Sequence, residues 1–270
     1  MNEFAKRRTW GPTPRYRLVE AYQPPSNDFI VVAGPCSVES VEHIQEMAGL
    51  VAAAGATHLR GGVFRAGTYP GQNFGWVNET LIAAFQKAAH DNGLQNIIEI
   101  LDYTPEVLEL ILQYADCVQV GARSQQNYTL LRTLGATGKT VFLKRNPGST
   151  LDELLGSAEH LLVGGNCCPV LIERGSSTHM NHVRWDLSIS MIPAVRALTK
   201  MPVIVDAAHG TGRRDLVRPM ALAGVAAGAG GVLIEVHNDP MNSLSDPDQA
   251  VEPHEFYDIM QTIKEIRKVL

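Results

Sequence analysis

Eight short apolar runs, each followed by a stretch with helical signals, set the tightest limit on how this 270-residue chain can fold. They cover residues 29–36, 58–64, 96–102, 117–122, 140–145, 169–174, 202–209 and 231–237. Their hydrophobicity is near-continuous rather than alternating, the pattern of strands buried on both faces of a parallel sheet. Helix signals fill the gaps. Thr104-Pro105-Glu106 places a capping residue before a first-turn proline, and Thr150 precedes Asp152 and Glu153. Gly55, Gly93 and Gly135 mark expected helix ends. Eight strand–helix units predict an α/β fold of the closed (β/α)8, or TIM-barrel, type. A doubly wound open sheet is the rival.

No composition shift divides the chain, so a single barrel domain is expected over 29–270, preceded by an N-terminal arm over 1–28. That arm carries Lys6, Arg7, Arg8 and Arg15 without an apolar core, which is not a secretory signal. It reads as a surface arm, with an oligomer contact as one use. A net charge of −5 gives no footprint for nucleic acid, and no apolar run is long enough to span a bilayer. Cys36, Cys117, Cys167 and Cys168 show no disulfide spacing, which suits a reducing cytoplasm.

The C-terminal ends of the runs carry the chemistry. In order they give Cys36; Arg65; Glu99 and Asp102; Arg123; Lys144 and Arg145; Glu173 and Arg174; Asp206 and His209; Glu235 and His237. A barrel interior is packed with branched apolar side chains, so charge gathered at one mouth requires a ligand or an internal partner. An ion-pair network that merely closes the barrel top is the plainer account. An acidic chain that collects five or more cations there is instead focusing its field on an anion, with phosphate and carboxylate best suited to arginine. Cys36, His209, Glu235 and Asp246 add a thiolate, an imidazole and two carboxylates, a set that fits a divalent transition metal better than Mg²⁺. Three connections, 65–76, 175–186 and 238–250, are longer than plain loops and would border that mouth.

The segments Ala33-Gly34-Pro35-Cys36-Ser37, Val120-Gly121-Ala122-Arg123, Leu143-Lys144-Arg145, Ile172-Glu173-Arg174-Gly175, Gly212-Arg213-Arg214-Asp215-Leu216-Val217 and Ile234-Glu235-Val236-His237 resemble 3-deoxy-D-arabino-heptulosonate 7-phosphate (DAHP) synthases. The likeness is to the microbial subclass related to 3-deoxy-octulosonate 8-phosphate synthase. The steps of 26 residues from His209 to Glu235 and 11 more to Asp246 agree with that family's metal site.

The resemblance implies a condensation of phosphoenolpyruvate (PEP) with a phosphorylated aldose, erythrose 4-phosphate, at the entry to the shikimate pathway of aromatic amino acid biosynthesis. It implies a divalent Mn, Fe, Co or Zn ion on Cys36, His209, Glu235 and Asp246, with Cys36, Lys144 and His209 as the catalytic residues. Arg123, Lys144 and Arg174 would clamp PEP. Arg60, Arg65 and Thr68 are further substrate-binding candidates, and Arg213 and Arg214 would take the aldose phosphate. A homo-oligomer, dimer or tetramer, is expected.

The chain also departs from the family. Where the second strand usually ends Lys-Pro-Arg-Thr-Ser, it reads Arg65-Ala66-Gly67-Thr68-Tyr69, so an arginine that helps hold erythrose 4-phosphate has become Gly67. A lost charge-assisted bond of that kind is worth about 1.5–3 kcal/mol. Asp-Pro-Ser-His appears as Asp206-Ala207-Ala208-His209. Two alternatives stay open: a relative that uses a different aldehyde, and a non-catalytic barrel subunit.

Overall fold

A computed structural model describes residues 16–63, 78–100, 104–165 and 167–270. Eight parallel strands pair in chain order: β1 (Ile30–Gly34), β2 (His58–Arg60), β3 (Gln95–Ile100), β4 (Cys117–Val120), β5 (Thr140–Lys144), β6 (Cys168–Glu173), β7 (Val203–Asp206) and β8 (Gly231–Glu235). β1 also pairs with β8, from Ile30 opposite Gly231 to Gly34 opposite Glu235, and this closes the cylinder. The (β/α)8 barrel expected from the eight runs is therefore present, and the open sheet is excluded.

The helices are α1 (Arg17–Ala21), α2 (Val41–Ala53), α3 (Glu79–Asp91), α4 (Pro105–Tyr114), α5 (Tyr128–Gly135), α6 (Leu151–Val163), α7 (Met191–Arg196), α8 (Ala207–Thr211), α9 (Arg214–Ala226) and α10 (Pro253–Arg267). Alternating strand residues feed two apolar layers. Val32, Ile97, Phe142, Val170, Ile204 and Leu233 fill the barrel. Their sequence neighbours Val31, Ala33, Val141, Leu171, Val205 and Val232 face the helices and join the larger outer core. α1 lies against α6, where the Leu18 and Val19 amides donate to Glu159.

Local signals behave as short-range physics requires. Ser40, Asn78 and Asn127 cap α2, α3 and α5 by accepting from the amides of His43, Leu81 and Leu130. Thr150 and Glu153 form a reciprocal capping box on α6. Gly55 and Gly93 end their helices at positive φ. Gly135 differs from expectation: it is the last residue of α5, followed by Ala136 at the cap. Its missing side chain lets Leu161 and Gly164 of the α6 hairpin approach, so close packing explains it. β1, β4, β5, β6, β7 and β8 also stop short of their apolar runs. The seventh run, expected as strand through His209, leaves the sheet at Asp206, whose carboxylate accepts the His209 amide and starts α8.

At the N-terminal end of the barrel, burial pushes the His58 imidazole down to about 4, its ring lying edge-on to that of Phe142 with the centroids 5.5 Å apart. An unfolded imidazole titrates near about 6.5, so the unfolded state binds the extra proton between those values. Folding stability is then complete above about pH 6.5 and falls as the pH drops toward 4, by at most about 3 kcal/mol. Urea denaturation of His58→Gln between pH 7 and 4.5 should show a flatter slope than the wild type. Parallel slopes would remove His58 as the cause.

Candidate active site and metal centre

The C-terminal mouth is assembled from β1, β2, β5, β6, β7, β8 and two of the three long connections. At the end of β1, Gly34 has φ +141, and any Cβ there would collide with the Arg60 carbonyl of β2. This close approach turns the chain through Pro35 and points Cys36 across the mouth. Cys36 Sγ lies 3.0 Å from Asp246 Oδ2, supplied by the 238–250 connection. Asp246 is the non-glycine residue at positive φ among the described residues, with φ 48. Such backbone costs about 1–3 kcal/mol and persists where surroundings impose it. The Ser245 hydroxyl helps, lying 3.0 Å from that of Ser37.

His209 stands between two fully buried carboxylates. Its Nδ1 is 2.9 Å from Asp206 Oδ2, and its Nε2 is 3.1 Å from Glu235 Oε1. Asp206, which already accepts the His209 amide, favours the proton on Nδ1 and leaves the Nε2 lone pair for the cluster. Burial alone would raise the Glu235 carboxyl. His209 and Arg60 outweigh it and hold the group well below the usual carboxylate range. Burial would likewise raise Asp206, and His209, Lys144 and Arg174 override it downward.

One ligand atom each from Cys36, His209, Glu235 and Asp246 lies within 4.8 Å of the others. The donor chemistry fits a cation. Sulfur faces carboxylate in one pair, and an imidazole lone pair faces carboxylate in the other. Each pair needs a shared proton or a shared positive charge. A soft thiolate with one nitrogen and two oxygens suits a borderline divalent ion.

The basic residues of the mouth divide by how fully they are already engaged. Arg145 is committed: Nε and Nη2 reach the two Glu173 oxygens at 2.6 and 2.9 Å, and Nη1 donates to the Ser149 carbonyl. The plainer ion-pair account holds for that couple. Arg60, a substrate-binding candidate in the sequence, places Nη1 2.6 Å from Glu235 Oε1 and so buttresses a candidate ligand. Lys144 Nζ is 3.2 Å from Asp206 Oδ2 and 3.5 Å from His209 Nδ1. Arg174 is 8% exposed, stacks 5.7 Å over Trp185, and its buried Nε has no hydrogen-bond partner among the described residues. A buried donor left without an acceptor points to an incoming anion.

Farther out, Arg123 is exposed on the turn Ala122–Ser124 after β4. Arg213 is exposed and forks onto Asp215, while Arg214 ties α9 to the Pro247 carbonyl of the 238–250 connection. Arg65, Gly67, Thr68 and Asp102 lie outside the described residues. Sequence reasoning missed Gln249, which donates to Glu235 Oε2, and Arg184, 3.6 Å from Asp246 Oδ1. Both sit in the long connections, and only that length hinted at them.

A closed (β/α)8 barrel with a thiol, imidazole and carboxylate cluster beside buried cations defines a barrel enzyme for an anionic substrate. The DAHP synthetase I family model matches residues 24–270, and the chain belongs to that family of carbon–carbon bond-forming synthases. It is 38% identical over 244 residues to a phospho-2-dehydro-3-deoxyheptonate aldolase of Thermotoga maritima, a match covering 90% of this chain and 71% of the relative. A 2-dehydro-3-deoxyphosphooctonate aldolase of Nitrobacter hamburgensis is 30% identical over 247 residues, covering 84% and 83%. The crystal structure of the Thermotoga maritima phospho-2-dehydro-3-deoxyheptonate aldolase (DAHP synthase) superposes with a TM-score of 0.85 at 35% identity, over 92% of this chain and 71% of that one.

Proposed function

We propose that this protein condenses PEP with erythrose 4-phosphate and water to give DAHP and inorganic phosphate, using a divalent metal held by Cys36, His209, Glu235 and Asp246. The observation that carries the reading is the convergence of those four ligand atoms within 4.8 Å, beside Lys144 and Arg174, whose buried Nε has no hydrogen-bond partner among the described residues. The Thermotoga relative, named a phospho-2-dehydro-3-deoxyheptonate aldolase, supports the choice of product.

When bound, the ion would supply Lewis-acid polarisation of the aldehyde oxygen or orientation of the attacking water. The remaining work falls to the chain. Arg174 and Lys144, with Arg123 from the rim and Arg65 by the family resemblance, hold the PEP phosphate and carboxylate, since a trianionic enolphosphate needs about three cations. C3 of PEP forms the new bond to the aldehyde carbon, whose oxygen takes a proton. Lys144 Nζ, held at the mouth 3.2 Å from Asp206 Oδ2, is the acid assigned to supply that proton. Water adds its oxygen to C2 and gives up two protons, one restoring Lys144 and one leaving with the phosphate, which takes the C2–O bond electrons as the C2 carbonyl forms. Asp206 fixes the His209 ring, and Arg60 keeps Glu235 ionised. Arg213 and Arg214 would meet the aldose phosphate, with Thr68 and Arg60 as further contacts.

Phosphate release that requires both substrates and is lost with a chelator is the expected result. Saturating PEP, erythrose 4-phosphate and Mn²⁺ without phosphate release would sink the reading. Arg174→Ala should raise KM for PEP by roughly 10- to 100-fold, the loss of one buried charge-assisted bond. An unchanged KM would take Arg174 out of the clamp.

A second reading keeps the chemistry and changes the acceptor, and Gly67 in place of the family arginine favours it. A panel of aldehydes with PEP decides: a larger kcat/KM for an acceptor other than erythrose 4-phosphate selects this alternative. No helix among the described residues is long and apolar enough to cross a membrane. A cytoplasmic homo-oligomer, with the barrel over 29–270 as its catalytic domain, completes the proposal.

A further inference from the structure

A second group of metal-ligating side chains stands apart from the Cys36 cluster. Glu39 follows β1, His43 lies in the first turn of α2, and His237 leaves β8, and one ligand atom of each lies within 4.8 Å of the others. We propose that Glu39, His43 and His237 form a second divalent-cation site, of the borderline class that zinc typifies, joining α2 to the connection that carries Asp246. Two imidazoles and one carboxylate are a sufficient protein set for such an ion, with water completing the shell.

Two observations support it. Both ring nitrogens of His43 are buried with no hydrogen-bond partner among the described residues, although an imidazole always carries at least one donor to satisfy. The two rings lie 4.6 Å apart, centroid to centroid, and His237 Nε2 is 3.2 Å from Glu39 Oε1. Glu39 Oε1 also accepts the Leu244 amide of the 238–250 connection, which leaves Oε2 for an ion.

The arrangement has a consequence for the neighbouring centre. His237 Nδ1 accepts the Asp239 amide at 3.0 Å, which places the ring proton on Nε2, facing Glu39. A cation taken at Nε2 displaces that proton, and the neutral ring then carries its proton on Nδ1. The Asp239 amide must turn away, so occupancy reaches the start of the segment bearing Asp246 and Gln249. Two hydrogen bonds are given up, from the Asp239 amide to Nδ1 and from Nε2–H to Glu39; three ligand bonds form, and His43 gains a partner.

The test counts ions. Protein stripped with a chelator is titrated with Co²⁺ alone, and bound metal is measured by equilibrium dialysis and by the thiolate-to-cobalt charge-transfer band. Wild type should bind two ions per chain. Cys36→Ser should bind one, without the band; His43→Gln and, independently, Glu39→Gln should each bind one, with the band intact. In Cys36→Ser, excess Zn²⁺ should raise the melting temperature by several degrees, and Cys36→Ser/His43→Gln should lose that rise. A wild type whose single ion is lost in Cys36→Ser, or His43→Gln and Glu39→Gln chains that both still bind two, overturns the second site. A single ion that survives Cys36→Ser and disappears in His43→Gln overturns the Cys36 centre and leaves the second site standing.

Discussion

Cys36→Ala is expected to lower PEP-dependent phosphate release on the order of 10³-fold or more, because losing a ligand of the proposed metal forfeits several kcal/mol of charge stabilisation. The same substitution should change the stability of metal-free protein by less than about 1 kcal/mol. The reason is positional. Cys36 is half-buried at the mouth, past the end of β1, and its Sγ touches the Asp246 carboxylate rather than the apolar barrel filling. Steady-state kinetics beside thermal melts separate the two effects. Near-native rates in the variant would make Cys36 a structural thiol, and a collapsed melting temperature would make it part of the core.

Asp206→Asn should damage both stability and function. The buried carboxylate serves three partners at once: the His209 amide, His209 Nδ1 and Lys144 Nζ. Asparagine can still cap α8, but it leaves Lys144 buried without its counter-charge, a loss of about 3–5 kcal/mol. For a domain of this size that corresponds to roughly 6–20 °C in melting temperature. An asparagine amide can also donate to Nδ1, which moves the ring proton to Nε2 and blocks it as a ligand. Metal affinity and turnover should fall about 10- to 100-fold. Unchanged metal affinity with reduced stability would confine Asp206 to a structural role.

How much of this was legible beforehand depends on the range of the physics involved. The barrel was legible because parallel strands covered on both faces must be continuously apolar, and eight such runs leave few ways to close. Cys36, His209 and Glu235 were legible as polar atoms ending those runs. Lys144 and Arg145 were not separable, being adjacent cations in one run. The structure parts them: Lys144 faces Asp206 and His209, while both arms of Arg145 are spent on Glu173 and Ser149. Asp246 lies in Ser245-Asp246-Pro247, which by itself suits a turn, and it entered the candidate set through the donor chemistry it shares with Cys36, His209 and Glu235. Arg184, Gln249 and the His43–His237 pairing gave no local signal.

The sequence by itself determined the strand and helix pattern, the closed barrel and the chemical kinds of group at its mouth, because these follow from periodicity and from the cost of burying charge in an apolar core. Tertiary structure alone decided which charges are spent on each other and which remain for a ligand. That choice rests on distances of about 3 Å between residues more than 200 positions apart, as between Cys36 and Asp246. Such contacts are set by where closure of β1 on β8 brings the long connections, and no neighbouring residue records it.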